Sequence, residues 1–84
     1  MSTFKFKARW KEELVCTGPD GAFVLELPMG VLSAYLPTEE IWKQKAPLWA
    51  CELWPVLRIE LEEWCIKNKA EFIIDSTAEL WPQG

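Results

Sequence analysis

Along residues 4–16 apolar and charged side chains alternate. Phe4, Phe6, Ala8, Trp10, Leu14 and Cys16 take even positions, and Lys5, Lys7, Arg9, Lys11 and Glu13 take odd ones. A period of two predicts a half-buried strand over this stretch. Gly18-Pro19-Asp20-Gly21 follows, with Pro, Asp and Gly each at a position where its backbone preference suits a tight turn. A hairpin in which Thr17 opposes Ala22 sets Cys16 beside Phe23, Leu14 beside Leu25 and Glu12 beside Leu27. The apolar sets then share one face, and a slip by one residue would expose Phe23, Leu25 and Leu27 together. Glu12 is the one misfit on the inner side.

Pro28-Met29-Gly30 breaks the second strand, and residues 31–36 read as a third, irregular strand, since proline fits poorly in a central ladder. Thr38 with Glu39 and Glu40 announces a helix near 38–45. Pro47 opens a second helical piece and Pro55 kinks or restarts it. From there Trp54, Leu57, Leu61, Trp64, Cys65 and Asn68 fall at helical spacing. An alternating run at Val56–Glu62 competes, but Glu60, Glu62 and Glu63 favour helix over strand. Lys67-Asn68-Lys69 suits the helix end. Residues 71–75 read as a returning strand that completes the sheet, and Ser76-Thr77-Ala78-Glu79 has the spacing of a capping box before a final turn at Trp81-Pro82. The expected fold class is α+β: an antiparallel sheet with Pro-broken helices packed on one face.

Length fits this pattern to a single domain over residues 1–84. Six Trp supply bulk to a chain that has little interior, at roughly 150–250 Å² of burial each. Nine basic against thirteen acidic residues leave a net charge of −4, which argues against a binder held mainly by nucleic-acid backbone. Met1-Ser2-Thr3-Phe4-Lys5 lacks the apolar stretch of a secretory signal, and no apolar run is long enough to span a membrane. Three cysteines cannot all pair within one chain. Together these features predict free thiols and a cytoplasmic setting.

Catalytic chemistry finds little footing. The chain has no His, which removes the commonest general base and metal ligand. Cys16, Cys51 and Cys65 form no Cys-x-x-Cys pair, and the glycines make no phosphate-binding loop. Glu60, Glu62 and Glu63 read as a solvated helix face. The expectation is no catalytic residue, no metal and no cofactor, and so no enzyme.

Two surfaces remain. Lys5, Lys7, Arg9 and Lys11 project from one side of the first strand at about 6.8 Å spacing, a conceivable track for nucleic acid. The strand's aromatics face the other way, however, and outward apolar partners reduce to Val15, Val24 and Tyr35. The plainer reading is the wet face of a strand, with Lys guarding an exposed edge. Among the Trp residues, Trp42 and Trp49 flank Pro47 and Trp81 closes the chain, so one or two of these three should be partly exposed. Ile59 and Ile66 fall opposite the core stripe of the last helix, which implies a second packing surface.

These residues, with Glu39, Glu40, Glu60, Glu62 and Glu63 as an acidic rim, point to a non-enzymatic protein–protein interaction module. It would bind either another protein or a second copy of itself. In size, acidity and aromatic richness the chain is similar in type to the small cytoplasmic immunity proteins that neutralise bacterial toxins, a likeness of composition and not of motif. The alternative is a nucleic-acid-binding domain using the Lys5/Lys7/Arg9/Lys11 face.

Overall fold

A computed structural model describes residues 3–9, 13–28 and 32–83. Trp10, Lys11 and Glu12 lie outside these residues, as do Met29, Gly30 and Val31. The elements in chain order are β1 (Lys5–Arg9), β2 (Glu13–Thr17), β3 (Ala22–Glu26), β4 (Ser33–Leu36), α1 (Glu39–Lys45), a 3₁₀ helix (Leu48–Leu53), α2 (Trp54–Lys67), β5 (Glu71–Ile74) and β6 (Leu80–Gln83). The class is α+β: a four-stranded antiparallel sheet in the order β1-β2-β3-β6, a separate parallel pair β4-β5, and helices.

The hairpin over Gly18–Gly21 has the expected register, with Cys16 opposite Phe23 and Leu14 opposite Leu25. The expected long strand over 4–16 is instead two antiparallel strands, with Arg9 opposite Glu13 and Phe6 opposite Cys16. Cross-strand partners share parity here, so the even residues of β1 and β2 lie on the same, inner side despite the reversal.

Helix limits follow local chemistry. Thr38 caps α1 by accepting the Ile41 N–H on its hydroxyl, 3.4 Å away. Ala46, placed before Pro47, is extended, as the proline ring requires. Pro55 sits in the first turn of α2, where its missing N–H has no partner to lose. At the far end the Ala70 N–H reaches the Cys65 carbonyl at 2.8 Å, and Lys69 takes the left-handed conformation, φ 56°. That is the usual helix-terminating geometry with Lys in the glycine position.

The run 71–74 does not join the main sheet. A crossover through the helices brings it parallel to β4, Ala34 opposite Phe72, as a connection of that length permits. Ser76 caps no helix. Asp75 instead accepts the Thr77 N–H and hydroxyl, both at 2.8 Å, and these bonds, backbone first, hold its carboxyl below the usual carboxylate range. This turn sends the chain into β6, which completes the four-stranded sheet against β3.

The core lies between the sheet's inner face and the helices. Leu14, Cys16, Phe23 and Leu25 meet Leu57, Leu61 and Cys65 of α2 and Trp42 of α1 there. Phe23 packs edge-on to Trp42, with ring centroids 5.1 Å apart. Trp49 seats its indole on the hairpin turn, and a Cβ at Gly18 would come within 2.6 Å of it.

Candidate interaction surfaces

The expected site residues divide by what covers them. Trp42, expected at an interface, is fully buried, and its indole N–H donates to the Ala50 carbonyl at 2.9 Å. That removes Trp42 from the interface candidates, because α1 turns this face toward Phe23. Trp49 is half-buried against Phe4 and Phe23, a structural contact. Trp81 is 43% exposed. Glu39 and Glu40 are exposed in the first turn of α1, away from the α2 residues in sequence and element.

On α2 the inner stripe of Leu57, Leu61 and Cys65 is buried, whereas Ile59 is 56% and Ile66 73% exposed. Seven residues separate the two isoleucines, roughly 10.5 Å along the axis and two turns. Glu62 and Glu63 stand exposed between them. Glu60 corrects the expected solvated face. Its carboxylate turns to the amino-terminal segment and accepts the Thr3 N–H at 2.9 Å and the Phe4 N–H at 2.7 Å.

Beside that contact runs a groove of about 580 Å³ between β1 and α2, lined by Lys5, Phe6, Glu60, Glu63, Trp64 and Lys67. Phe6 and Trp64 are in contact along it, with centroids 6.3 Å apart. Both are half-buried, and Ala8, also on the inner side of β1, is exposed. Inner-facing positions on β1 are therefore covered poorly. The sequence carried part of this signal, since Phe6 and Trp64 each read as inward. That the two meet at a rim was set by tertiary packing.

The cationic row lies on the opposite, outer face of the sheet. Register places Lys7, Val15, Val24 and Trp81 in one line across the four strands, with Arg9, Glu13 and Glu26 in the next line of that face. Trp81 is thus an aromatic on the cationic face that periodicity alone did not supply. Arg9 is engaged by Glu13 at 2.9 Å, and Lys11 is outside the described residues.

Burial pushes the Cys65 thiol up to about 11, with Glu62 adding to the shift, and burial alone pushes Cys16 still further up. Both are held as thiols, the unreactive form. Cys51 is partly exposed, with its Sγ near the Lys43 and Ala46 carbonyls. Among the described residues, no group of three potential ligands gathers around a point that could hold a metal. No described helix is long and apolar enough to cross a membrane. Comparison with family models, with curated proteins and with solved structures gives no match.

Proposed function

We propose that the protein is a non-enzymatic protein-interaction module that docks through the outer face of α2. Ile59 and Ile66 are its anchors, and Glu62 and Glu63 steer a basic partner. The observation that carries this reading is the exposure of two branched apolar residues, 56% and 73%, on one face of a helix whose opposite stripe is buried. Apolar anchors with charges at the rim are the usual anatomy of a binding surface.

A basic partner fits better than a second copy of the chain. A two-fold axis pairing the isoleucines passes between them and brings Glu62 and Glu63 against their own copies. Four carboxylates then meet where water is excluded, which disfavours the pair. The three unpaired thiols accord with a cytoplasmic setting.

The test uses a double variant, Ile59→Ser with Ile66→Ser, beside the wild type. Both sites are exposed, so folding stability should change by no more than about 0.5 kcal/mol per site. Used in parallel as baits in the native cell extract, the variant should lose a partner that the wild type retains, and the wild type should sediment as a monomer. Equal recovery of every partner overturns the reading. A wild-type dimer that the variant dissolves overturns the choice of partner over self.

A second reading has one observation in its favour: Trp81 shares the outer sheet face with Lys5 and Lys7. Nucleic acid held there would be lost between low and moderate salt, whereas docking through Ile59 and Ile66 would persist. Glu13 and Glu26 on the same face weigh against it.

A further inference from the structure

The two edges of the four-stranded sheet are built differently. The Gly18 N–H donates to the Gly21 carbonyl at 2.8 Å, which fixes the alternation of bonded pairs through the regular registers that follow. Cys16 and Leu14 point their backbone groups toward β3. Val15 and Glu13 point theirs toward β1, so Lys5, Lys7 and Arg9 bond inward. Phe6 and Ala8 turn their N–H and C=O away from the sheet.

The same alternation turns the backbone nitrogen of Pro82 outward at the other edge, where a missing N–H does no harm and discourages further pairing. β1 has no such stop, and no described strand pairs with it on that side. One outward group at this edge is already engaged by a carboxylate oxygen. The Phe4 N–H, next in the outward series, donates to Glu60 at 2.7 Å. Glu60 occupies the place that the carbonyl of an added strand would take.

We infer that β1 and the groove beside it receive an extended acidic segment of a partner protein by strand addition. The site is centred on β1, not on the Ile59/Ile66 face, although Glu63 borders both, and it goes beyond that reading. Backbone bonds would run to Phe6 and Ala8, and side chains of the added strand would alternate between two environments. Those on the inner side lie over Phe6 and Trp64, where a groove of about 580 Å³ is open and the aromatic pair is half-wet. Those on the outer side stand next to Lys5 and Lys7, exposed cations whose neighbour Arg9 is already paired with Glu13. The fitting ligand alternates apolar residues with Asp or Glu.

Charge also decides against a second copy. Every outward-facing position of β1 is Lys5, Lys7 or Arg9, so two β1 edges paired antiparallel through their free backbone groups oppose cation to cation in every register. Directly opposed like charges destabilise a strand pair. An acidic strand reverses the sign at each of these positions.

The experiment titrates the full chain with a capped seven-residue peptide alternating Glu and Val. Two control peptides accompany it, one with the same residues in two blocks and one alternating Lys and Val. Amide exchange and chemical shifts are followed residue by residue. The alternating Glu/Val peptide should slow exchange at the Phe6 and Ala8 amides by about tenfold or more, because a laddered amide exchanges only when the pair opens. The block peptide should not do so, and the Lys/Val peptide should bind more weakly.

The Lys5→Glu/Lys7→Glu double variant alters two exposed side chains, and its retained fold is checked by the unperturbed β2–β3 amides. In it the preference should reverse toward the Lys/Val peptide. Unchanged Phe6 and Ala8 amides overturn the proposal, as does equal protection by the block peptide or an unchanged preference in the double variant. Protection of those amides without any peptide, accompanied by a dimeric mass, overturns it in favour of self-pairing.

Discussion

Two aromatic regions of this molecule are treated in opposite ways. Around the hairpin turn, Phe4, Phe23 and Trp49 pack within 5.9–6.4 Å of one another, centroid to centroid, and Trp42 joins them through Phe23 at 5.1 Å. The Trp42 indole N–H finds the Ala50 carbonyl. At the β1 edge, Phe6 and Trp64 meet at a similar 6.3 Å and are half-buried like Trp49, but they border an open groove; Phe4 links the two groups, 6.4 Å from Phe6. Contact geometry does not separate the two regions. What does is whether neighbouring backbone groups are used up. The first cluster sits on a closed turn, while the second borders a strand whose outward N–H and C=O meet no strand among the described residues. Aromatic bulk thus holds the fold in one place and borders the proposed docking edge in the other.

The sharpest way to break the comparison is Trp42→Ala. A large buried residue truncated to Ala costs about 3–5 kcal/mol, and the Ala50 carbonyl is left without its donor. Domains of this kind have roughly 5–15 kcal/mol in total, and a short chain sits near the low end. Urea denaturation should show the midpoint collapsing toward zero, with loss of the near-ultraviolet aromatic signal. A variant as stable as the wild type would mean that the aromatic cluster does not hold the fold.

Gly18→Ala makes the second test of the closed region. No glycine among the described residues has a positive φ, so the backbone at Gly18 does not demand glycine. The indole does: an added Cβ would stand 2.6 Å from Trp49 and 2.9 Å from Phe4. Overpacking of this kind costs about 1–3 kcal/mol. At Gly21 the nearest approach is 3.0 Å, so Gly21→Ala should cost less. Equal denaturation midpoints for the two variants would show that the indole yields freely and that the turn is not its seat.

The sequence disclosed these regions unevenly. Parity across Gly18-Pro19-Asp20-Gly21 located the β2–β3 register, because a period of two and a tight turn leave one pairing that buries Phe23, Leu25 and Leu27 together. Prolines marked the helix limits because each removes an N–H at a definable place. The reversal between Arg9 and Glu13 left only one trace, Glu12 at an even position, because both flanking residues are odd and the parity of the apolar set is the same on either side. Nor could periodicity tell that 71–74 would lie parallel to β4, which depends on where the long crossover lands. Trp42 and Ile66 are both large apolar residues that read as interface candidates, and only the packing of α1 against Phe23 buries the first while the second stays exposed. Glu60 read as one of three solvated carboxylates because its partners are backbone groups 56 and 57 residues away.

Glu60→Gln has the smallest expected effect and bears most directly on the open region. The amide keeps the shape of the side chain but removes the charge, and only one of its two terminal atoms can still accept. One of the bonds to Thr3 and Phe4 is therefore lost and the other weakened. A hydrogen bond to a charged group contributes about 1.5–3 kcal/mol when buried. This contact is only part-buried at Phe4 and exposed at Thr3, so the loss of stability should be nearer 1 kcal/mol. Amide exchange at Phe4 should quicken while the β2–β3 amides keep their protection, because the carboxylate stands at the edge and not in the core. Glu60→Ala removes both acceptors, and the freed Phe4 N–H lengthens the outward series of Phe4, Phe6 and Ala8 by one available donor. An alternating Glu/Val peptide should accordingly extend its protection to Phe4 in that variant, where Glu60 had occupied that rung. Peptide-induced protection confined to Phe6 and Ala8 in the Glu60→Ala variant would show that Glu60 does not occupy the place of an added strand's carbonyl.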